Sequence, residues 1–348
     1  MSVAVGTRRI GDGAPCYVIA EAGVNHNGDA ELAHRLVDIA ADAGADAVKF
    51  QTFDPDLLAS PGAVKADYQI ENTGTGGSQH EMLMALTLPR SVFADLARHA
   101  TERRIEFLST PFDLNSADLL ADIGVSAFKI GSGEVTNHPF LARLAGFGRP
   151  LLLSTGMSTL DEVVAAVGVI QRSGNPPLAL FHCVTSYPVD AAACNLRAMQ
   201  TLRDRFRVPV GWSDHTVGGV VSIAAVALGA ELIEKHFTVD RTLPGPDHAA
   251  SLEPDELRTL VADIRSTESA LGDGRKVPAA CELGISKVAR RSLHFSGNLP
   301  AGHAVRPNDL VALRPATGLS PALHDQLVGR VLRVDVARGD IVREDQLV

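Results

Sequence analysis

The chain has little of what marks a secreted, membrane-borne or nucleic-acid-binding protein. Only four cysteines occur in 348 residues, at Cys16, Cys183, Cys194 and Cys281, and none stands in a CxxC pair. A disulfide scaffold and a structural zinc site are therefore both disfavoured. No apolar run approaches the roughly 18 residues a membrane span needs, and the opening MSVAVGTRRIGDG lacks the apolar centre of a signal peptide. A cytoplasmic location is expected. Basic residues are outnumbered, 32 against 41 acidic, for a formal net charge of −9. Nucleic acid or an anionic membrane would require clustered Lys and Arg. Neither partner is expected, so any anionic ligand must be met by a local pocket of positive groups. Also absent after the first strand is the G-x-G-x-x-G turn of a dinucleotide-binding sheet.

What the chain does contain is a rhythm. Between residues 16 and 271, eight short β-rich runs alternate with longer amphipathic stretches: CYVIAE, DAVKFQ, IEFLST, AFKIGS, PLLLST, LALFHC, VPVGWS and ELIEKH. Helical spacing is clear in AELAHRLVDIAADAG, RSVFADLARHATERR and LDEVVAAVGVIQRSG. Ser91, Asn115 and Thr159 stand where helix caps are expected. Eight βα units predict a (β/α)8 TIM barrel rather than a doubly wound sheet. One connection is long, residues 54 to 88, and reads as a lid or a mobile insertion. From about residue 287 the pattern changes to short β runs (SLHFS, LVALRP, VGRVLRVDV) and two similar turns, AGHAVRPNDL and ARGDIVREDQL. The expected division is a barrel over 1–272, a linker over 273–286 and a small β-rich domain over 287–348.

Reacting groups of such barrels gather at the C-terminal strand ends. Here those ends carry Glu21, Lys49 with Gln51, Thr110, Lys129 with Ser132 and Glu134, Ser154, Thr185 with Tyr187, Ser213 with Asp214 and His215, and His236. Buried lysine is rare unless paired or liganded, so this convergence predicts an active site. Two lysines among hydroxyls suit a compact, multiply charged anion such as a phosphate ester bearing a carboxylate. The competing reading is an internal ion pair with Glu21 or Glu134. His215 and His236 end neighbouring strands, roughly 5 Å apart, and their imidazoles are candidate ligands for one divalent cation. A site with two protein ligands leaves positions open for water and substrate. Asn25–Gly28 (NHNG) reads equally as a ligand contact and as a turn, Trp212 as packing, and SQHEML as lid closure or a helix start.

The motifs IAEAGVNHNG, KFQTF, FLSTPFD, FKIGSGE, LLSTGM, HCVTSYP, GWSDHT, EKHFT, LPGPDH and LRPATG, in that order, resemble the sialic acid synthases and related nonulosonate synthases. The resemblance covers almost the whole chain. It implies a (β/α)8 barrel followed by an antifreeze-like (SAF) domain, assembled as a domain-swapped homodimer. The implied reaction condenses phosphoenolpyruvate with N-acetylmannosamine and water, giving N-acetylneuraminate and phosphate by C–O cleavage. Legionaminic acid synthesis from 2,4-diacetamido-2,4,6-trideoxymannose is the alternative. Carried over by position, His215 and His236 would bind the metal, expected to be Mn2+ with Mg2+ or Co2+ as alternatives. Lys49, Thr110, Lys129, Ser132, Ser154, Thr185 and Ser213 would hold phosphoenolpyruvate. Gln51, Glu134, Tyr187 and Asp247 would meet the sugar, with Arg314 arriving from a partner subunit. Glu21 would position the water that adds at C2, and Asp214 would orient His215. The chain departs from the family at Thr185, where Asn is frequent, and at RPA in place of RPG. A carbohydrate-binding homologue without activity and a Schiff-base aldolase using Lys49 or Lys129 are the other functional classes.

Overall fold

Apolar runs separated by capped amphipathic segments fold here as alternating strands and helices. The computed structural model describes residues 2–74 and 76–348 and divides into two units, Met1–Gly272 and Asp273–Val348. The first begins with an antiparallel hairpin, β1 (Ser2–Val5) and β2 (Arg8–Gly11). Eight strands follow: β3 (Tyr17–Gly23), β4 (Ala47–Thr52), β5 (Glu106–Pro111), β6 (Phe128–Ile130), β7 (Leu151–Ser154), β8 (Leu178–Cys183), β9 (Val210–Asp214) and β10 (Leu232–His236). Their order in the sheet is β5-β4-β3-β10-β9-β8-β7-β6, and β5 and β6 lie side by side where the barrel closes. All eight coincide with runs read from the sequence. The reason is burial on both faces, which makes parallel strands near-continuous apolar runs; β3, for example, is buried at every residue.

The two faces build two cores. Outside the strands, Val18, Val48, Phe50 and Ile233 pack against the helices, as do Leu36 and Leu96 from the helices themselves. Truncating a fully buried leucine such as Leu36 to alanine costs about 2–5 kcal/mol. Inside the barrel, Tyr17, Ile19, Leu108, Leu152, Phe181 and Leu232 cluster with Val3, Val5 and Ile10 of the hairpin. The hairpin therefore contributes side chains to the barrel interior, a role its two short strands did not announce in sequence.

Caps set the helix starts. Asp29 accepts from the amides of Glu31 and Leu32 ahead of helix Ala30–Asp42, and Thr159 closes a capping box with Glu162 ahead of helix Leu160–Arg172. Two expected caps are corrected. Ser91 lies inside helix Arg90–Glu102, whose first flanking residue is Pro89 with no side-chain bond. Asn115 lies inside helix Leu114–Ile123; Asp113 is its cap, because its carboxylate reaches both the Ser116 amide at 2.8 Å and the Ser116 hydroxyl at 2.6 Å.

The long connection is built rather than shapeless. It contains helices Pro55–Leu58, Asp67–Thr73 and Gln79–Ala85, the last started by Ser78 and Glu81 in a reciprocal box. Lys65 is buried and donates to Thr73 Oγ1 at 3.1 Å and to the carbonyls of Gly74 at 3.1 Å and Gly76 at 2.6 Å. Asn72 Nδ2 donates to the Pro246 carbonyl at 2.6 Å, fastening this segment to the loop after β10. No helix among the described residues is long and apolar enough to cross a membrane.

The second unit has a core of its own, including Leu293, Phe295, Val305, Leu332, Val336 and Val342, around strands β11 (Ser292–Phe295) and β12 (Leu310–Leu313). VGRVLRVDV, expected as a strand, is instead joined by isolated bridges, Ala304 to Val331, Leu332 to Leu347 and Leu299 to Val336. Its residues pair one at a time with different partners, so no continuous ladder forms. The near repeat is real in three dimensions: Asp309 accepts from the Arg306 amide and Gln346 from the Arg343 amide, each starting a single 3₁₀ turn.

Candidate active site

Strand alternation aims one set of residues into the barrel mouth. On β10, Glu234 and His236 face inward, and on β9 Ser213 does so, leaving Lys235, Trp212 and Asp214 on the outer face. Register then makes neighbours of the inward groups: His236 stands opposite Glu21, Glu21 opposite Lys49, and Glu234 opposite Ser213.

The centre is a chain of buried charges. Lys49 Nζ lies 2.7 Å from Glu21 Oε2 and 3.8 Å from Glu234 Oε2, and donates to Thr110 Oγ1 at 2.9 Å. Lys129 Nζ lies 3.0 Å from Glu234 Oε1, and Ser213 Oγ donates to the same oxygen at 3.1 Å. Gln51 Nε2 donates to Glu21 Oε1 at 3.2 Å. The lysines pair internally, as the competing reading expected, and both line the cavity at the mouth. Lys49 takes Glu21 as expected, whereas Lys129 takes Glu234 and not Glu134. Glu134 is half-buried and accepts from Asn137 Nδ2 at 2.7 Å.

Burial and charge drive the two carboxyls apart. Burial pushes Glu21 up to about 7, against the pull of Lys49. Burial would raise Glu234 too, but Lys129 and Lys49 overcome it and bring that carboxyl down to about 2. Burial also lowers Lys129 below the ordinary lysine range, while at Lys49 the charges of Glu21 and Glu234 outweigh burial and hold it above that range. One carboxylate is firmly ionised and the other titrates near neutrality, which is the usual signature of an acid–base pair with separate tasks.

The two imidazoles come together as expected, with ring centroids 5.6 Å apart. His215 Nδ1 donates to the Val184 carbonyl at 2.7 Å, which leaves its Nε2 lone pair free. His236 Nδ1 is buried with no hydrogen-bond partner and lies 3.9 Å from Asp247 Oδ2. Burial lowers both rings, His215 to about 4 and His236 well below the ordinary histidine range, so both are neutral near pH 7. Neutral rings with available lone pairs fit a divalent cation. Among the described residues no group of three or more His, Cys, Asp or Glu is placed to hold a metal, so the fit rests on two protein ligands. Tyr187 packs on both rings, at 4.0 Å from His215 and 5.7 Å from His236. Asp214 makes no hydrogen bond to the His215 ring, whose partner is the Val184 carbonyl. Its side chain faces the outer side of β9, accepting from the Thr216 amide at 2.8 Å and the Ser222 hydroxyl at 2.5 Å.

One cavity gathers Glu21, Lys49, Gln51, Thr110, Lys129, Ser132, Ser154, Thr185, Tyr187, Ser213, His215 and His236 along its wall, together with Glu234. Ser154 Oγ is buried there without a partner. The neighbouring cavity shares Gln51, Phe112, Tyr187 and His236 and adds Asp247, Tyr68 and the apolar Leu58, Met82 and Leu83. Glu134 lines neither cavity, and Arg314 belongs to the second unit, just past β12. Gly156 is a close fit at the rim: a Cβ there would meet Thr185 Oγ1 at 2.4 Å and Ser132 Oγ at 2.9 Å. The NHNG segment is tied into the fold: Asn25 donates to the Phe237 carbonyl and Ser251 Oγ, and Asn27 to the Pro244 carbonyl. Trp212 is fully buried. Glu234 is the functional residue the sequence reading missed; it stands two positions before His236, and the strand period alone would have placed it on the same face.

Comparison with known proteins agrees with this geometry. The NeuB family model matches residues 36–276, and the SAF domain model matches residues 290–348. The N,N'-diacetyllegionaminic acid synthase of Legionella pneumophila is 45% identical over 96% of this chain and 95% of its own. The synthase of the same name from Campylobacter jejuni is 44% identical over 94% and 98%. A crystal structure of N-acetylneuraminic acid (sialic acid) synthetase from Leptospira borgpetersenii, in complex with citrate, superposes with a TM-score of 0.73 at 36% identity, covering 82% of this chain and 95% of that one. A barrel mouth of paired lysines and carboxylates, followed by a SAF domain, therefore places the chain in the NeuB family of sialic acid and related nonulosonate synthases.

Proposed function

We propose that the chain condenses phosphoenolpyruvate with 2,4-diacetamido-2,4,6-trideoxymannose to give a legionaminic acid. The observation that carries the reaction class is the bridging of Lys49 and Lys129 by Glu234 in the same cavity as two neutral imidazoles. Phosphoenolpyruvate brings a phosphate and a carboxylate, and two buried ammonium groups among hydroxyls suit it. Lys49, Thr110, Lys129, Ser132, Ser154, Thr185 and Ser213 hold it, Ser154 supplying a hydroxyl that has no partner among the described residues.

The acceptor lies in the adjoining cavity against Gln51, Tyr187 and Asp247, with Arg314 of a partner subunit completing its contacts; Glu134, which lines neither cavity, is left out of that set. Leu58, Met82 and Leu83 give that cavity an apolar side, which suits the methyl of a 6-deoxy sugar better than a hydroxymethyl group. The two legionaminic acid synthases at 45% and 44% identity support the same choice. N-acetylmannosamine is the second reading, favoured by the likeness to the sialic acid synthetase structure.

In the reaction, C3 of phosphoenolpyruvate bonds to the aldehyde carbon, the aldehyde oxygen gains a proton, water adds at C2, and phosphate leaves with the C2–O bond cleaved. His215 and His236 would hold a divalent cation, Mn2+ in the simplest case, which supplies Lewis-acid polarisation of the aldehyde carbonyl. Glu21, titrating at about 7, takes the proton of the adding water. Lys49 and Lys129 keep the phosphate and carboxylate charges compensated as phosphate departs.

The test is phosphate release from phosphoenolpyruvate with Mn2+ and each sugar, with a chelator control. Chelator-sensitive release with the diacetamido sugar supports the proposal. Release with N-acetylmannosamine alone overturns the acceptor, and silence with both returns the non-catalytic reading. Borohydride with pyruvate is expected to trap no lysine adduct.

A further inference from the structure

Behind the two histidines, on the outer face of the barrel wall, sits a buried ion pair that the reaction does not touch. Lys235 and Asp214 are register partners across β10 and β9, each the outward-facing chain neighbour of one histidine. Lys235 Nζ lies 3.4 Å from Asp214 Oδ2, and both side chains are wholly buried. Trp212 and Ile233, which precede them on the same two strands, belong to the apolar outer core.

A lone ion pair in such a layer is a poor source of stability, because desolvation offsets the attraction and an apolar pair of similar volume often serves as well. Its bonds point to another use. Lys235 Nζ donates to the Thr216 carbonyl. Asp214 Oδ1 accepts from the Thr216 amide at 2.8 Å, and Oδ2 accepts from Ser222 Oγ at 2.5 Å. The pair therefore grips both backbone polar groups of Thr216, the residue that follows His215, just past the end of β9. On the other side His215 is fixed by its ring bond to Val184 and by its carbonyl, which accepts from the Val189 amide at 3.0 Å.

We infer that Lys235 and Asp214 are positioning residues for a cation held by His215 and His236: the pair locks the Asp214–Thr216 tripeptide to β10 and so sets the separation of the two imidazoles. This rests on the metal reading of the histidine pair. Nothing in it requires either residue to meet substrate. Metal sites depend on such outer supports to hold ligand geometry, and losing one typically weakens binding by 10- to 100-fold.

The experiment measures Mn2+ binding to the full chain without substrate, by the loss of the free-ion paramagnetic resonance signal, for the parent and the double variant Lys235→Met/Asp214→Asn, which removes both charges together. Melting in chelator reports folding separately. The expected result is a folded variant that binds Mn2+ about tenfold or more weakly. Ser222→Ala, which frees one Asp214 oxygen while keeping the ion pair, is expected to weaken Mn2+ by a few-fold and decides the matter should the double variant not fold. Affinity within twofold of the parent, in a folded double variant or in Ser222→Ala, overturns the inference alone. A parent that binds no Mn2+ overturns the metal reading and the inference together.

Discussion

Glu234 holds Lys129 at 3.0 Å and Lys49 at 3.8 Å, one oxygen to each, so a single carboxylate sets the spacing of the two ammonium groups that face the cavity. An anion bound between them would meet a lysine pair whose separation is already fixed, with little reorganisation needed.

Glu234→Gln is accordingly expected to damage both binding and stability. Removing one charge from a buried network leaves the others uncompensated, at a cost of about 3–5 kcal/mol. Steady-state kinetics should show a KM for phosphoenolpyruvate raised at least tenfold, and melting a matching loss of stability. An unchanged KM in a folded variant would mean that the two lysines do not hold the anion.

The Glu21 carboxyl, pushed up to about 7 by burial, predicts an acid limb in the pH profile. Base function requires the ionised form, so kcat/KM should rise with pH through about 7 and level above it. Glu21→Gln should lose that limb and at least about a hundredfold in rate. The stability sign is opposite: between about 4.5 and 7 the folded chain binds the extra proton, so this carboxyl contributes less stability as pH rises. An acid limb that survives in Glu21→Gln belongs to another group.

Acid should unfold the barrel through His26. Burial lowers its ring to about 4, so between roughly pH 6.5 and 4 the unfolded chain binds the proton that the folded chain refuses. Stability is full above about 6.5 and falls through that window, by up to about 3 kcal/mol from this group. Denaturant melts of His26→Gln across the window should show a flatter dependence on pH; a slope equal to the parent's would assign the acid sensitivity elsewhere.

If Arg314 serves the site of a partner subunit, two defective chains should repair each other. Arg314→Ala and His236→Ala, each expected to be impaired alone, would on subunit exchange form mixed dimers in which one site has both residues. With free exchange half of the dimers in an equimolar mixture are mixed and each carries one intact site, so phosphate release should recover toward about a quarter of the parent rate. Mixtures no better than the sum of the separate chains would confine Arg314 to its own subunit or remove it from the site.

The sequence was most legible where burial is two-sided. Runs such as LALFHC and ELIEKH coincide with β8 and β10 because a strand covered on both faces leaves little room for polar residues except at its mouth end. The N-terminal hairpin was not read, since SVAV and RRIG are four-residue strands without a turn signal strong enough to stand out. At the site, the gathering of Glu21, Lys49, Lys129, His215 and His236 into one cavity follows from their places at strand ends. Parity within a strand was the harder matter. It turns Asp214 away from His215 and brings Glu234 in beside His236, and neither fact shows in residue type alone. Cap assignment failed at Asn115 for a related reason: Asp113, two residues earlier, carries the stronger acceptor and reaches farther into the first turn.

The tight packing at Gly156 implies epistasis at the rim of the site. Its missing Cβ is matched by the hydroxyls of Thr185 and Ser132, so residue 156 cannot enlarge unless residue 185 shrinks or turns away. Diversification of this loop among relatives would have to pass through paired changes, in which each single step is disfavoured and only the combination is tolerated.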